Sequence, residues 1–323
     1  MTEDRRRFLG FAAVAITFAI ASRIAAAQSY PSRPVHVIVG YPAGLLPDIA
    51  ARLVGQRLSD RLGQQFVIEN RPGANGNIGT EIVVRAAADG YTLLQVNSAN
   101  AFNATLYPKL NFNFISDITP IACIGASTFV IVVNPSLPAK TVPEFIAYAR
   151  SNPSKITMAS AGNASPNHIF GELFQMMTGV ELTHVPYRSS YLPDLLAGQT
   201  QVAFSPISTV IEYIRTAKLR ALAVTSATPS EVLPDTPPVG QFVSGYEAGG
   251  WLGIGAPSGT SPEIINKLNN EINAAFADPA AKERLVYLGI KPIPMTPAEF
   301  GEFIAAETKK WAKVIRASNI TLE

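Results

Sequence analysis

Two stretches of small residues stand where a strand hands over to a helix, and both have the makings of an anion site. Residues 41–48 read Tyr41-Pro-Ala-Gly-Leu-Leu-Pro-Asp48, and residues 160–166 read Ser160-Ala-Gly-Asn-Ala-Ser-Pro166. The first N–H groups of a helix lack intrahelical partners and carry partial positive charge, which suits a carboxylate. Ala43, Gly44, Ala161 and Gly162 are small enough to let a ligand reach the backbone. In α/β sheets ligands sit beyond the carboxyl ends of strands. Two such loops on facing lobes would hold the two ends of a small anion. The alternative is a pair of ordinary strand-to-helix turns with ordinary caps.

Other chemistry finds no anchor. Gly73, Gly76 and Gly79 are spaced three and three, not the two and three of a dinucleotide loop, and no acidic residue at a strand end follows at the ribose distance. The segment reads as a glycine-rich turn entering a helix, able to border a cleft. No Gly-x-Ser-x-Gly elbow occurs. His36, His168 and His184 are far apart in sequence, and none has a Cys or His at zinc spacing. No catalytic residue, metal or cofactor is expected, which favours binding over catalysis.

The bulk numbers agree. Of 323 residues, 47% are hydrophobic and 15% charged, which excludes a disordered chain and allows two domains with cores. The formal charge is +2, but residues 1–27 hold four arginines (Arg5, Arg6, Arg7, Arg23) against Glu3 and Asp4, so the remainder is neutral. No basic field is left for nucleic acid. Those first residues run from Arg5-Arg-Arg-Phe-Leu9 through an apolar stretch to Ala25-Ala-Ala27, shorter than the ~20 residues of a membrane span. They read as a secretory signal resembling the twin-arginine type, an ordinary export signal being the alternative. The mature chain then begins near Gln28, in the periplasm. The lone Cys123 reads as a buried hydrophobe.

Alternating apolar runs and amphipathic stretches position the loops. Strands are expected at 35–39, 66–68, 91–96, 129–133, 156–159, 182–185, 201–204, 219–225 and 251–255. Helices are expected at 48–62, 77–88, 141–151, 168–178, 193–197, 209–217, 261–275, 279–288 and 297–318, with Thr141 and Glu144 spaced as a capping box. Phe300, Phe303, Ile304, Trp311 and Ile315 form an apolar stripe on the last helix. The βαβα alternation predicts an α/β fold of mostly parallel sheets flanked by helices.

Several segments, in order, carry a family resemblance: Tyr30-Pro-Ser-Arg-Pro34, Glu69-Asn-Arg-Pro-Gly-Ala-Asn-Gly-Asn-Ile-Gly79, Asp89-Gly-Tyr-Thr-Leu-Leu94, His184-Val-Pro-Tyr187, Leu219-Arg-Ala-Leu-Ala-Val-Thr225 and Leu233-Pro-Asp-Thr-Pro237. The chain resembles the Bug family, the binding proteins of tripartite tricarboxylate transporters. The resemblance implies a two-lobed periplasmic binding protein fold (type II-like) closing around a small organic carboxylate, aliphatic dicarboxylate or aromatic, held by backbone amides and bridging waters. It implies a monomer that presents its ligand to integral membrane transporter subunits; a ligand-sensing receptor and a secreted hydrolase are the alternatives. By position, lobe 1 is 28–125 with 228–323 and lobe 2 is 126–227, the chain crossing twice. The carried-over ligand-binding residues are Tyr41, Pro42, Ala43, Gly44 and Asp48 of the first loop. The second loop supplies Ser160, Ala161, Gly162, Asn163, Ser165 and His168. Tyr187, Ser205, Ser98 and Asn103 complete the set.

The chain departs from the family at Leu45, Leu46 and Pro47, where a glycine and small polar residues are usual. The leucines suit an apolar ligand body or pack against their own lobe. Ser189 and Tyr191 replace small residues; Tyr191 narrows the pocket or stacks on a ring. Asp48 orients waters or loop amides, binds a ligand hydroxyl or ammonium, or is a helix first-turn acid. His168 faces the ligand or bonds its own loop, and Arg188 pairs with carboxylate or is solvated.

Overall fold

A computed structural model describes residues 30–187, 190–318 and 320. The expected export signal at 1–27, Arg188 and Ser189 lie outside the described residues. The chain opens with strand β1 (Val35–Val39), helix α1 (Leu46–Leu62), β2 (Phe66–Asn70), α2 (Asn77–Val84), β3 (Thr92–Asn97) and α3 (Ser98–Leu106). Side chains alternate across the strands. Val35, Val37 and Val39 pack with Ala50, Ala51, Val54 and Leu58 of α1. Ile38, Leu94 and Val96 turn the other way, toward Phe102 of α3. Helices therefore cover both faces, as a sheet buried on both sides requires.

A short helix α4 (Phe114–Asp117) leads to β4 (Ile118–Ser127) and directly to β5 (Phe129–Val133). Then follow α5 (Val142–Ser151), β6 (Thr157–Ser160), α6 (Pro166–Thr178), β7 (Thr183–Pro186), α7 (Leu192–Ala197), β8 (Val202–Pro206), α8 (Ile207–Arg215) and β9 (Arg220–Val224). The chain returns to β10 (Gly250–Pro257) and ends with α9 (Pro262–Ala277), α10 (Pro279–Tyr287), β11 (Ile290–Lys291) and α11 (Pro297–Ala317). Two sheets result, ordered β11-β4-β10-β3-β1-β2 and β7-β6-β8-β5-β9.

The sheets are mixed, not mostly parallel. Parallel pairing is confined to β2-β1-β3 and β7-β6-β8. The strands next to the crossing, β4, β10 and β11 in one sheet and β5 and β9 in the other, pair antiparallel. This departure aims the molecule. Leu252, near the start of β10, pairs with Asn97 at the carboxyl end of β3, and Gly250 pairs with Ser127 at the end of β4. Phe129, at the start of β5, pairs with Pro206 at the carboxyl end of β8. The chain thus leaves the first sheet and enters the second at their carboxyl edges. The loops after β1, β2 and β3 and those after β6, β7 and β8 consequently face each other across the crossing.

An aromatic seam closes the back of the crossing. Trp311 of α11 lies 5.4 Å from Phe102 of α3 and 5.0 Å from Phe170 of α6, centroid to centroid, and Phe170 lies 4.8 Å from Phe129. Tyr246, on the return segment, donates to the Phe170 carbonyl at 3.0 Å and stands edge-on to Phe174. α11 docks through Phe300, Ile304, Trp311 and Ile315, as its stripe predicts, while Phe303 is only partly buried.

Some expectations shift. α1 begins at Leu46 and α6 at Pro166, both earlier than predicted, and α2 ends at Val84 instead of 88. α3, α4, β4 and β11 have no counterpart among the predicted elements. The predicted capping box at Thr141 is half made. Thr141 accepts from the Glu144 N–H, but the Glu144 carboxylate accepts from the Lys140 N–H instead. Cys123 is buried, as expected.

Candidate functional site

The first loop leaves β1 at Gly40 and is folded around a buried carboxylate. Asp48 is 2% exposed. Its Oδ2 accepts from the Gly44 N–H at 2.8 Å and from Arg52 Nε at 3.1 Å; its Oδ1 accepts from Asn70 Nδ2 at 2.9 Å. Asn70 also donates to the Tyr41 carbonyl at 2.9 Å. Burial alone pushes the Asp48 carboxyl up, but Arg52, Gly44 and Asn70 outweigh it and hold it below the usual carboxylate range. Asp48 therefore belongs to the loop and orients its amides. We expect Asp48→Ala to cost about 2–3 kcal/mol, less than a fully buried pair because the half-exposed Arg52 rehydrates. Ligand affinity should fall with it; denaturant unfolding and titration of the variant check both.

The same fold of the loop spends the Gly44 amide. What stays open is the start of α1, where Leu45 is the N-cap residue and no side chain caps the helix. Pro47 has no N–H, so the donors offered there are those of Leu46 and Asp48.

The glycine-rich signature supports this loop from behind. A Cβ on Gly40 would lie 2.7 Å from Gly76 Cα, so turn and loop pack backbone to backbone. The Tyr41 hydroxyl donates to the Asn75 carbonyl at 3.2 Å. Asn103 donates to that same carbonyl at 2.9 Å and to Asn77 Oδ1 at 2.8 Å. Asn97 caps α3 by accepting from the Ala99 N–H, its own backbone N–H donates to Asn100 Oδ1, and Asn100 donates to Thr80 Oγ1. Tyr41 and Asn103 thus meet in an amide network whose other members, Asn75, Asn77, Asn97 and Asn100, were not among the expected site residues. The one available signal was the density of asparagines at 75–77 and 97–103. Ser98 is buried beside Ser127 and Gly250 at the crossing.

The second loop is folded on its own hydroxyls. Ser160 Oγ donates to the Gly162 carbonyl at 3.0 Å and accepts from the Gly162 N–H at 3.1 Å. Ser165 caps α6, accepts from the His168 N–H, and donates from Oγ to the Gly162 carbonyl at 2.8 Å. His168 Nδ1 accepts from the Ala164 N–H at 3.1 Å, so His168 bonds its own loop. Ala161 is exposed and Gly162 and Asn163 are half-buried at the tip.

His168 and His184, remote in sequence, stack with ring centroids 3.6 Å apart. β7 lies beside β6, which also brings His184 Nε2 to 2.6 Å from Ser160 Oγ. Burial first, and then the neighbouring His168, lower the His184 pKa from its ordinary 6.5 to about 4. Between those values the unfolded chain takes up a proton that the folded chain refuses, so stability is full above pH 6.5 and falls as pH drops toward 4. His184→Gln should flatten the melting temperature across that window; an unchanged slope would show that His184 does not set it.

The remaining second-lobe residues are engaged. The Tyr187 hydroxyl donates to Asp194 Oδ2 at 2.6 Å, and burial followed by Asp194 pushes its pKa up to about 12. Ser205 is fully buried, its Oγ 2.5 Å from the Tyr191 hydroxyl. Tyr191 is 5% exposed and joins Asn167 as well, so it is a core residue and not a ring free to stack on a guest.

Comparison with known proteins fits this arrangement. Residues 50–320 match the TctC family, described as the tripartite tricarboxylate transporter family receptor. The chain is 36% identical over 304 residues to protein BugT of Bordetella pertussis, covering 92% of this chain and 93% of that one. It superposes on Rpa4515 of R. palustris, solved with adipate, with TM-score 0.83 and 33% identity over 90% of this chain and 99% of that one. MatC of Rhodopseudomonas palustris, solved with malate, gives TM-score 0.79 and 28% identity over 88% and 100%. The fold is the two-lobed one of periplasmic binding proteins, and no described helix is long and apolar enough to cross a membrane. The chain belongs to the TctC family of tripartite tricarboxylate transporter receptors, the Bug proteins.

Proposed function

We propose that this receptor captures a small organic carboxylate between its lobes and presents it, unmodified, to the integral membrane subunits of a tripartite tricarboxylate-type transporter. The observation that carries the reading is the pair of facing carboxyl edges, each opening a helix start onto the gap, with α1 left without a side-chain cap. Adipate and malate in the two solved relatives support the ligand class, and the family supports the transporter. In this reading lobe 1 is residues 28–125 with 228–323 and lobe 2 is residues 126–227, the part of the return segment around Tyr246 lying over lobe 2. The protein works as a periplasmic monomer exported on residues 1–27.

Among the described residues, the hydroxyl–imidazole pair Ser160 and His184 supports binding over hydrolysis. Ser160 is fully buried and its hydroxyl holds the Gly162 backbone. A thermal-shift panel tests the function. At ~100 times its dissociation constant, a carboxylate should stabilise the fold by about 2.7 kcal/mol. A midpoint raised by a neutral sugar and by no carboxylate would overturn the ligand class.

A further inference from the structure

We infer that the preferred guest is a carboxylate with a hydrocarbon body, linear or aromatic, carrying no hydroxyl beside its carboxylate. This rests on the binding reading above and narrows it. The two leucines that replace small polar residues have parted company. Leu46 packs against the first-lobe core with Tyr41, Ile49 and Leu53, whereas Leu45 is 50% exposed at the mouth of the first loop. Leu45 also holds the N-cap of α1, a position where Ser, Thr, Asp or Asn would serve the helix better. The sequence forgoes a cap there and places an exposed apolar side chain beside the open amides.

Several of the described polar side chains around the two loops that could read a hydroxyl are already committed within the protein. Asp48 is closed on Gly44, Arg52 and Asn70. Ser160 and Ser165 serve the Gly162 carbonyl, Tyr187 serves Asp194, and Tyr191 and Ser205 serve each other. The first loop therefore offers a guest main-chain donors for charge and the side chains of Pro42, Ala43 and Leu45 for its body. A hydroxyl buried against that surface loses its water without a replacement partner.

Calorimetric titration of the mature protein with adipate, benzoate and malate tests this. Adipate or benzoate should bind at least roughly tenfold more tightly than malate, the penalty expected of an unmatched hydroxyl. Leu45→Ala should weaken the tighter of those two by about fivefold, in keeping with half a leucine side chain left unburied, and shift malate less than about twofold. Malate binding as tightly as the others, or Leu45→Ala weakening all three alike, overturns the inference while leaving carboxylate capture intact. Binding of none of the three overturns both.

Discussion

Trp311→Ala should lower the unfolding free energy by about 3–5 kcal/mol, the range for emptying a buried aromatic site. Trp311 is fully buried and stands where α11, α3 and α6 meet. Its ring touches Phe102 on one side of the crossing and Phe170 on the other, so a single truncation cuts into the packing of both lobes. Its indole N–H donates to Glu307 Oε2 at 2.8 Å. Glu307 is itself raised above the usual carboxylate range, chiefly by burial, and loses that donor in the variant. Neighbouring Lys310 lies over the same ring at 5.0 Å and is partly exposed. Lys310→Ala should cost less than about 1 kcal/mol. Denaturant unfolding of both variants checks the pair. Equal small losses would mean that the seam does not hold the lobes together.

Gly162→Val should abolish measurable binding, by at least about 100-fold or 2.8 kcal/mol, while the protein stays folded. A side chain finds space there, since an added Cβ would meet only the Tyr187 carbonyl at 3.5 Å. The obstacle is the backbone. Gly162 has φ +115°, a conformation that a β-branched residue resists. Its carbonyl accepts from Ser160 Oγ, Ser165 Oγ and the Ser165 N–H. Rotating that peptide releases all three and turns the loop amides away from the gap. The local strain of about 1–3 kcal/mol falls on a surface loop, not on the core. Titration alongside a melting curve checks it. A folded variant with unaltered affinity would remove the second loop from the site.

Much of the fold was legible because its strands are short buried runs. Phe129–Val133 is an uninterrupted run of β-branched and aromatic residues, Val35–Val39 is broken only by His36, and both form as predicted. β4 escaped notice because Pro120 and Gly125 interrupt it and its register against β10 shifts twice. α3 escaped because asparagines, not Ser or Thr with Glu, make its capping box. α2 stops early for a tertiary reason. Gly90 is wedged against Ile264 and Tyr30, which fixes the path of the chain through the segment where Ala86, Ala87 and Ala88 would otherwise favour helix. Antiparallel pairing at the crossing depends on contacts between residues distant in sequence, such as Val133 with Val202 and Leu252 with Asn97, which local periodicity does not encode.

The two loops were legible from their small residues between strand and helix. Their internal wiring was not. Asp48 had several open readings, and only its partners Gly44, Arg52 and Asn70 decide among them. His184 was visible only as part of a motif. Its stacking on His168 arises because β7 pairs beside β6, a long-range event. Leu45 and Leu46 are adjacent and chemically alike, yet Leu45 at the N-cap of α1 is exposed while Leu46 is half-buried against the core.

A crystal structure of the mature protein grown with adipate puts the central claim to the most direct test. The carboxylates should lie in the gap within hydrogen-bonding distance of main-chain N–H groups at the start of α1 and in the loop before α6. Density for the guest outside the gap, or a guest held by ionic side chains with those amides turned away, would contradict it.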